Sequence, residues 1–311
     1  SDAMASDPIN LIRAEGANLN EAVAQLQRSA DHKLFYGGMR AVVIGGTYAE
    51  SGIGEFVRYI RSTPEQRMNV DVFTSDSEPE EIVKYKAIND FSGGFAAESI
   101  MRTLNLENLA PRCTLGDILA ALAEQKVGFA VPNIVVDDDI MRIDGYSIFQ
   151  VDKKIAFLTA DEATPLGFFH DSRSKARCYA DAGGRTVTIE AEMVKKDIHV
   201  EEDAGGTLHV TASMKFDLSV ADLGSAGLAP QEIEAIKASV CGQLKENTEA
   251  LLQTAKDTGC DFLGFYKQYQ TKKRAGFYQT DWSEKMKNMQ YRVDIQAGAF
   301  ENNLTNEELW R

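Results

Sequence analysis

The sequence predicts an α+β protein, with mixed sheets and flanking helices in two or more packed subdomains and a C-terminal part made of an antiparallel sheet packed on a long helix. Two observations carry this prediction. Short helix and strand patterns alternate through the first half of the chain, whereas two long alternating strands and one long helix dominate the second half. A chain of 311 residues, 44% of them hydrophobic, can bury a sizeable core and is expected to form one or two domains.

The first half begins with a predicted β-α-β arrangement. Asn18-Leu19-Asn20-Glu21 has the N-cap and N3 acid of a capping box, which predicts a helix over 19–29. The apolar run 41–44, closed by two glycines, predicts a strand buried on both faces. A helix through 56–60 should follow, and Thr63-Pro64 fits one brief helical turn. The extended pattern at 70–73 completes the unit.

Helices and then a meander are predicted for the middle of the chain. The pattern from 77 to 123 is helical, with breaks at 92–94 and Pro111, and Thr114 is a plausible N-cap. Three β-rich runs follow Pro132, and aspartate-containing turns separate them. These predicted strands are 134–136, 141–150 and 154–160.

A change of character near residue 170 marks the predicted domain boundary. The stretch 170–184 is rich in small, charged and glycine residues and has few bulky apolar side chains. The first four residues, Ser1-Asp2-Ala3-Met4, are typical of a remnant of an expression vector, so any native targeting segment is expected to precede residue 5. The predicted division is therefore 1–6 (vector remnant and start), 7–169 (N-terminal α/β region, with further splits near 76 and 130), 170–303 (C-terminal domain) and 304–311 (tail).

The C-terminal domain is predicted to contain a hairpin, three helices and a last strand. Strands over 186–201 and 207–220 flank Asp203-Ala204-Gly205-Gly206, a good hairpin turn. Pro230 opens a long helix, which Gly259 is placed to end. The remaining elements are a helix over 261–273, a capping box at Asp281-Trp282-Ser283-Glu284 and a strand over 291–295.

The charge of the chain limits its partners. There are 33 Lys and Arg against 47 Asp and Glu, a net charge of -14, so the surface repels phosphate backbones and anionic headgroups. Nucleic acid is therefore not an expected partner, and the composition excludes a disordered, collagenous or coiled-coil protein. No stretch approaches the roughly 20 apolar residues needed to cross a bilayer, so the chain as given is expected to be soluble.

Residues 44–54 contain the strongest local hint of a phosphate site. A strand there runs into glycines ahead of a helix, as in phosphate-binding loops. The spacing nevertheless fits neither nucleotide motif, no lysine is present, and Glu50 and Glu55 would repel a phosphate. A plain strand–helix turn is favoured, and a nucleotide-dependent enzyme remains as a distant alternative.

Metal sites are also disfavoured. Asp137-Asp138-Asp139, followed by Asp144, lacks the calcium-loop pattern and is explained by a turn. If the hairpin loop has four residues, His199 and His209 lie on opposite faces of the sheet and cannot share a metal ion. The cysteines form no C-x-x-C pair, which disfavours a zinc site and leaves their disulfide state open; they are Cys113, Cys178, Cys241 and Cys260.

No catalytic signature is visible. The chain has no G-x-S-x-G elbow and no recognisable Cys/His pair, and its four histidines are dispersed. We therefore expect a protein that is not an enzyme and that uses no cofactor.

Aromatic residues recur at helical spacing in the segment 262–269. Phe262, Phe265, Tyr266 and Tyr269 stand at i, i+3, i+4 and i+7, which predicts a helix face packed on the second sheet. Any aromatic surface left exposed would be a candidate for protein contact, because tyrosine and tryptophan are favoured at interface cores.

An ordered set of motifs resembles the Ger(x)C family, the C subunits of the nutrient germinant receptors of spore-forming bacteria. The C-terminal part of the resemblance is Asp261-Phe262-Leu263-Gly264-Phe265, then Tyr269, a basic run at 272–274 and Trp282. In the first half, 40–46, the Gly52-Ile53 helix start, Arg58, Arg61, 69–73, 131–132, 145–149 and 158–162 are similar to the family's N-terminal region. The resemblance covers roughly residues 14 to 300, in order.

The resemblance implies a lipoprotein that is not an enzyme. An N-terminal lipid, palmitate-type and diacylglyceryl-linked to a cysteine, would anchor it to the outer surface of the spore inner membrane, where the membrane-embedded A and B subunits would be its partners in germination. Two features depart from the family pattern: no lipobox cysteine is present, and Tyr266 stands where many relatives have a second glycine. The candidate partner-contact or family-motif residues are Asp261, Phe262, Gly264, Phe265, Tyr269 and Trp282.

One alternative from another functional class stays open. The two-part division is also compatible with an extracytoplasmic binding protein for a small nutrient, with a cleft between the halves near residue 170. The sequence does not identify a germinant.

Overall fold

The fold is described from a computed structural model. The structure describes residues 11–63, 65–86, 92–124, 126–222, 228–272 and 281–301. Several predicted features lie wholly or partly outside these ranges, among them the vector remnant at 1–6, the turn at Thr63-Pro64, the helical pattern over 77–123, the helix over 261–273, the basic run at 272–274 and the tail at 304–311.

The chain forms two compact units, and one short segment that interrupts the sequence of unit 1 belongs to unit 2. Unit 1 comprises the residues up to Thr103 together with Arg112–Ala160, and unit 2 comprises Leu104–Pro111 together with the residues from Asp161 onward. The boundary predicted between 169 and 170 stays a prediction; the stretch around it contains a strand, Lys175–Asp181.

Unit 1 contains a five-stranded mixed sheet of order β1-β2-β3-β4-β5. β1, β2 and β3 are parallel, and β3, β4 and β5 form the predicted antiparallel meander. β3 begins before Pro132, which lies within the strand opposite Tyr146. β1 is an edge strand in which only Ile44 is fully buried, so the prediction of burial on both faces holds for one residue. The strands are β1 Ala41–Gly45, β2 Asp71–Ser75, β3 Phe129–Asp137, β4 Ile140–Gln150 and β5 Lys153–Thr159.

The helices of unit 1 connect these strands. The first lies over the predicted residues, and Asn18 caps it by accepting a hydrogen bond from the Glu21 N–H at 3.0 Å. Thr114 and Asp117 form a reciprocal capping box at another helix start, as predicted for Thr114. The helices are α1 Leu19–Ser29, α2 Gly46–Ser51, α3 Gly54–Ser62, α4 Pro79–Lys84, α5 Gly93–Leu106 and α6 Leu115–Glu124, with a 3-10 turn at Tyr36–Gly38.

One core cluster of unit 1 lies where α3 and α6 pack on the sheet. The aromatic rings of Phe129 and Phe149 stack there, with centroids 5.0 Å apart. Burial of these side chains is the main source of stability for the unit. The other core residues include Ile44, Val57, Ile60, Val72, Leu115, Ile118 and Val131.

The glycine-rich segment after β1 is a strand–helix turn. α2 begins directly at Gly46, and Gly52, at φ +119°, separates α2 from α3. A Cβ atom at Gly46 would lie 2.6 Å from a carboxylate oxygen of Asp76. An acidic group therefore lies beside this glycine, where it would repel a phosphate.

Unit 2 contains a four-stranded sheet of order β6-β7-β8-β9. The predicted hairpin is confirmed as β7 and β8. β9, however, pairs with β8 in the parallel direction, so this sheet is mixed and not antiparallel throughout. The strands are β6 Lys175–Asp181, β7 Thr186–Glu202, β8 Leu208–Asp222 and β9 Gln290–Glu301.

The helices of unit 2 include the predicted long helix, α9, which starts at Pro230 and ends at Gly259. Gly259 adopts φ +64°, the left-handed conformation that glycine accepts at a helix end. The apolar face of α9, with Ile236, Val240 and Leu244, packs against the inner face of the sheet. The helices are α7 Ala160–Ala163, α8 Leu166–His170, α9 Pro230–Thr258, α10 Phe265–Lys272 and α11 Trp282–Lys287.

Two local irregularities in the β7–β8 hairpin change which side chains face outward. Val194 is an extra residue in β7, because Met193 pairs with Phe216 and Lys195 with Lys215. The bulge reverses the alternation, so that Lys196 faces the same side as Met193.

The hairpin loop has five residues, 203–207, and not the predicted four, because Glu202 pairs with Leu208. His199 and His209 therefore lie on the same exposed face of the sheet, which corrects the prediction of opposite faces. Each histidine nevertheless has its own acidic partner: His199 lies 3.2 Å from Glu201, and His209 lies 3.0 Å from Asp203.

Candidate functional site

The C-terminal motif residues meet around the buried carboxylate of Asp261, which is 1% exposed. Its Oδ1 atom accepts a hydrogen bond from the Phe265 N–H at 2.8 Å. Its Oδ2 atom accepts from the Tyr266 N–H at 2.6 Å and from the indole Nε1–H of Trp282 at 3.0 Å. One side chain thus caps α10 and joins it to the first residue of α11.

This capping corrects the predicted helix start. α10 begins at Phe265 and not at Asp261, because the Asp261 carboxylate takes the free N–H groups of the first helical turn. Gly264 precedes the helix at φ +81°, a conformation that favours glycine. Tyr266, which stands where many relatives have a second glycine, lies in the first turn of α10, and this turn is helical.

The aromatic side chains of the motif pack on one another. Trp282 contacts Tyr266 and Tyr269, each with ring centroids 5.1 Å apart, and Phe265 meets Phe169 of α8 edge-on at 5.8 Å. Each of the predicted aromatic residues is at most 4% exposed, so they present almost no aromatic surface. Their direct contact with a partner stays a prediction, and the packing assigns them an internal role.

The cluster is tied to the end of the β7–β8 hairpin through Glu202. Its carboxylate accepts hydrogen bonds from the hydroxyl of Tyr269 at 2.7 Å and from the ammonium of Lys285 at 2.8 Å. Lys285 also donates to the main-chain carbonyl of Gly206 at 2.9 Å. The motif therefore holds the hairpin loop in a defined position against α10 and α11.

A second set of contacts holds α8 against the motif. The Lys196 ammonium donates to the carbonyls of Phe169, at 3.0 Å, and Asp171, at 2.6 Å. The Nε2 atom of His170 lies 3.1 Å from the carbonyl oxygen of Phe262. Cations near the last carbonyls of a helix stabilise its C-terminal end, so Lys196 fixes the end of α8.

Sequence reasoning missed Lys196, His170, Glu202 and Lys285. Lys196 faces inward only because of the bulge at Val194, which periodicity does not reveal. The other three form hydrogen bonds with residues that are distant in the sequence, so no local pattern indicates them.

The electrostatics of the cluster fit a structural role. Burial raises the pKa of Asp261, and the hydrogen bonds from Tyr266, Phe265, Trp282 and Gly264 oppose this increase. Burial also raises the pKa of the neighbouring Cys260 thiol to about 12 and lowers that of Lys196. A protonated thiol is a poor nucleophile, and the carboxylate of Asp261 is fully occupied as an acceptor.

The other candidate residues from the sequence lie apart from this cluster. In the 137–139 turn, Asp138 and Asp139 adopt positive φ angles of 49° and 60°, while Asp137 pairs with Arg142 at 3.3 Å. Asp144 accepts a hydrogen bond from the amide of Asn133 at 2.9 Å. Among the residues described, no three His, Cys, Asp or Glu side chains lie close enough to hold a metal ion, and all four cysteines are free thiols.

Within the described ranges, no helix combines the length and apolar character needed to cross a bilayer.

Two protein-family models together match nearly the whole chain. The family model described as "Spore germination protein N-terminal domain" matches residues 1–136, and the model described as "Spore germination B3/ GerAC like, C-terminal" matches residues 144–298. No curated protein has a sequence that matches the chain.

A solved structure, entitled "Crystal Structure of the GerBC protein", is similar in fold with a TM-score of 0.67. The similarity covers 91% of this chain and 84% of that one, at 12% sequence identity. At this identity the likeness concerns the fold alone, and it agrees with the predicted α+β class.

Proposed function

The chain belongs to the GerAC family of spore germination proteins, and on that premise we propose that it is the C subunit of a nutrient germinant receptor. The observation that carries the proposal is the ordered match of the N-terminal and C-terminal family models, which together span most of the chain. The fold shared with GerBC supports the same assignment.

In this proposal the protein acts through protein contacts and catalyses no reaction. The membrane-embedded A and B subunits are its partners. The buried Asp261 cluster supports a positioning role: it fixes the loop at 203–207 through Glu202 and Lys285. The motif would then serve partner binding by holding its surroundings in shape, and not by touching the partner.

We place the protein on the outer face of the spore inner membrane, held there by an N-terminal lipid. A diacylglyceryl group carries two acyl chains, which together can hold a protein at a membrane. A net charge of -14 disfavours direct attraction to anionic lipids. In this proposal the protein part therefore contacts the A and B subunits and not the lipid headgroups.

The experiment replaces the gene in its spore-forming host by variants and follows loss of optical density after nutrient addition. Deletion is expected to abolish germination through the cognate receptor, and Asp261→Ala is expected to do the same. Arg142→Gln, which removes an exposed ion pair in unit 1, is the control. Immunoblotting of spore membranes separates loss of the protein from loss of function.

Crosslinking in spores tests the partners directly. The A and B subunits should be recovered with the wild-type protein and with Arg142→Gln. Spores that lack the gene but germinate normally with every nutrient, or crosslinks that never include the two subunits, would contradict the proposal.

A further inference from the structure

β9 is an outermost strand of the unit 2 sheet, so one of its two sides faces away from β8. Its pairing with β8 is regular from Gln290 to Ala297, and the irregularity of this pair lies beyond that stretch. Among the residues that the structure describes, no main-chain hydrogen bond joins 290–296 to any segment other than β8. This stretch thus presents an open sheet edge whose outward N–H and C=O groups can pair with another strand.

The stretch 290–296 lacks the usual features that keep an edge strand from pairing. Natural sheets protect their edges with proline, with bulges or with charged side chains that repel a second strand. Residues 290–296 contain no proline and no irregularity. Their two charged side chains, Arg292 and Asp294, have opposite signs, so they do not repel a strand that carries the same two charges.

The sequence of this edge is complementary to itself about Val293. In an antiparallel pair related by a two-fold axis, a residue that precedes the axis lies opposite the residue that follows it by the same number of positions. With the axis at Val293, Arg292 of each copy therefore lies opposite Asp294 of the other. Opposite charges at directly opposed positions stabilise a strand pair, and the symmetry forms this pair twice.

Both charged side chains are available for such a pair. Val293 is 4% exposed and lies opposite Ala212 of the core, so its neighbours Arg292 and Asp294 point to the other face of the sheet. Arg292 is exposed and makes no ion pair or hydrogen bond with the described residues. Asp294 accepts a hydrogen bond from the Gln296 amide at 3.1 Å and has no cationic partner within the same ranges.

The remaining positions of the edge agree with the same axis. Tyr291 would lie opposite Ile295 on the inner face, and pairs of an aromatic with a β-branched side chain favour strand pairing. Gln290 would lie opposite Gln296 on the outer face, where two amides can exchange hydrogen bonds. Ile295 is only partly buried against the core of unit 2, so a second strand would also cover its exposed part.

We propose that this edge pairs with the same edge of a second copy of the chain, so that the two unit 2 sheets join into one. The pairing is antiparallel, with the two-fold axis at Val293 and an ion pair between Arg292 and Asp294 on either side of it. Main-chain hydrogen bonds supply the affinity, and the two ion pairs fix the register. The inference concerns the chain by itself, and its failure would leave the receptor assignment untouched.

Sedimentation velocity of the full chain tests the association at about 0.15 M salt, which screens the long-range repulsion between two acidic copies. The wild type should change from monomer to dimer as its concentration rises towards the millimolar range. Arg292→Asp places like charges opposite each other on both sides of the axis, and so does Asp294→Arg. Each of these variants alone should weaken the dimer at least about tenfold. Arg173→Asp, at an exposed position before β6, changes the net charge as Arg292→Asp does and should leave the dimer unchanged.

A mixture of the two single variants separates charge pairing from misfolding. One copy then carries two carboxylates at these positions and the other carries two guanidinium groups, so the same axis restores both ion pairs. The mixture should dimerise within about threefold of the wild-type affinity, as should the double variant in which the two charges are exchanged. A wild type that stays monomeric at every concentration would leave this edge to another protein and overturn the proposal. Single variants that dimerise as tightly as the wild type, or a mixture no tighter than either variant alone, would also overturn it.

Discussion

Asp261 combines complete burial with a full set of N–H donors, and these two effects act on its proton in opposite directions. Burial dominates and raises the pKa of the folded-state carboxyl above the ordinary aspartate value of 3.8. In the window between the ordinary and the raised pKa, the folded state therefore binds more protons than the unfolded state. The free energy of unfolding contributed by Asp261 must fall as pH rises through this window.

Urea unfolding at a series of pH values checks this prediction. The difference in unfolding free energy between the wild type and Asp261→Asn removes the contributions of the other carboxyl groups, and we expect it to shrink as pH rises. A difference that grows with pH would mean that the N–H donors outweigh burial.

Asp71 in β2 is a second buried carboxylate, with a single charged partner. Its side chain is 4% exposed, and the Arg112 guanidinium lies 2.8 Å away. Burial raises the pKa of Asp71, and Arg112 opposes that increase. We expect Arg112→Met to lower the unfolding free energy by about 3 kcal/mol, because it leaves a buried charge without a partner.

Arg142→Met is the matched control for this pair. Arg142 lies 3.3 Å from Asp137, but both side chains are more than half exposed. Its removal should cost less than about 1 kcal/mol. Similar losses for the two variants in chemical denaturation would refute the distinction.

At the scale of the element, the start of α5 depends on the absence of a side chain at Gly93. A Cβ atom there would lie 1.7 Å from the carbonyl oxygen of Ile82, in α4. At Gly94, the nearest atom would be a side-chain carbon of Arg40 at 3.6 Å, an ordinary contact. We therefore expect Gly93→Ala to destabilise the protein by about 1–3 kcal/mol, and Gly94→Ala to change its stability by less than about 0.5 kcal/mol. Melting temperatures of the two neighbouring variants measure the difference, and equal values would contradict the close approach of α4 and α5.

Local patterns predicted most elements, because amphipathic periodicity and capping are properties of short segments. α1 lies over the predicted residues, Thr114 caps α6, and Gly259 ends α9. The pairing of distant segments was not accessible in this way. No local sequence pattern around β9 indicates that this strand pairs with β8 in the parallel direction.

The errors in the hairpin arose from single-residue events. One extra residue at Val194 reverses the side-chain alternation of β7, and one extra loop residue brings His199 and His209 to the same face. At Asp261 the helical spacing of the aromatic residues was correct from Phe265 onward, but a side-chain cap replaced the first predicted turn. Such events depend on hydrogen bonds that periodicity does not report.

For the whole molecule, unit 2 includes residues from both sides of the predicted boundary at residue 170, which stays a prediction. Unit 2 includes Leu104–Pro111, where the carbonyl of Asn108 accepts a hydrogen bond from the Lys175 N–H at 2.8 Å. Its core also includes Phe168 of α8. A fragment of 170–303 lacks both, so we expect it to show no cooperative thermal transition by circular dichroism.

A fragment of 161–303 is the informative control for that experiment. It regains Phe168 but still lacks the 104–111 segment, so its near-ultraviolet signal should lie between those of the shorter fragment and the full chain. A cooperative transition of 170–303 alone would contradict this expectation and support the boundary predicted from the sequence.

The inclusion of Leu104–Pro111 in unit 2 also constrains the order of folding events during synthesis. These residues leave the ribosome before the last three strands of unit 1 exist, yet their partners in unit 2 are made more than 50 residues later. Unit 1 must therefore finish folding while it carries a segment whose partners are not yet made, and unit 2 cannot close until its own last strand, β9, has been translated. A pause or truncation before Lys175 has been translated would leave the 104–111 segment without this partner and exposed to a chaperone or protease.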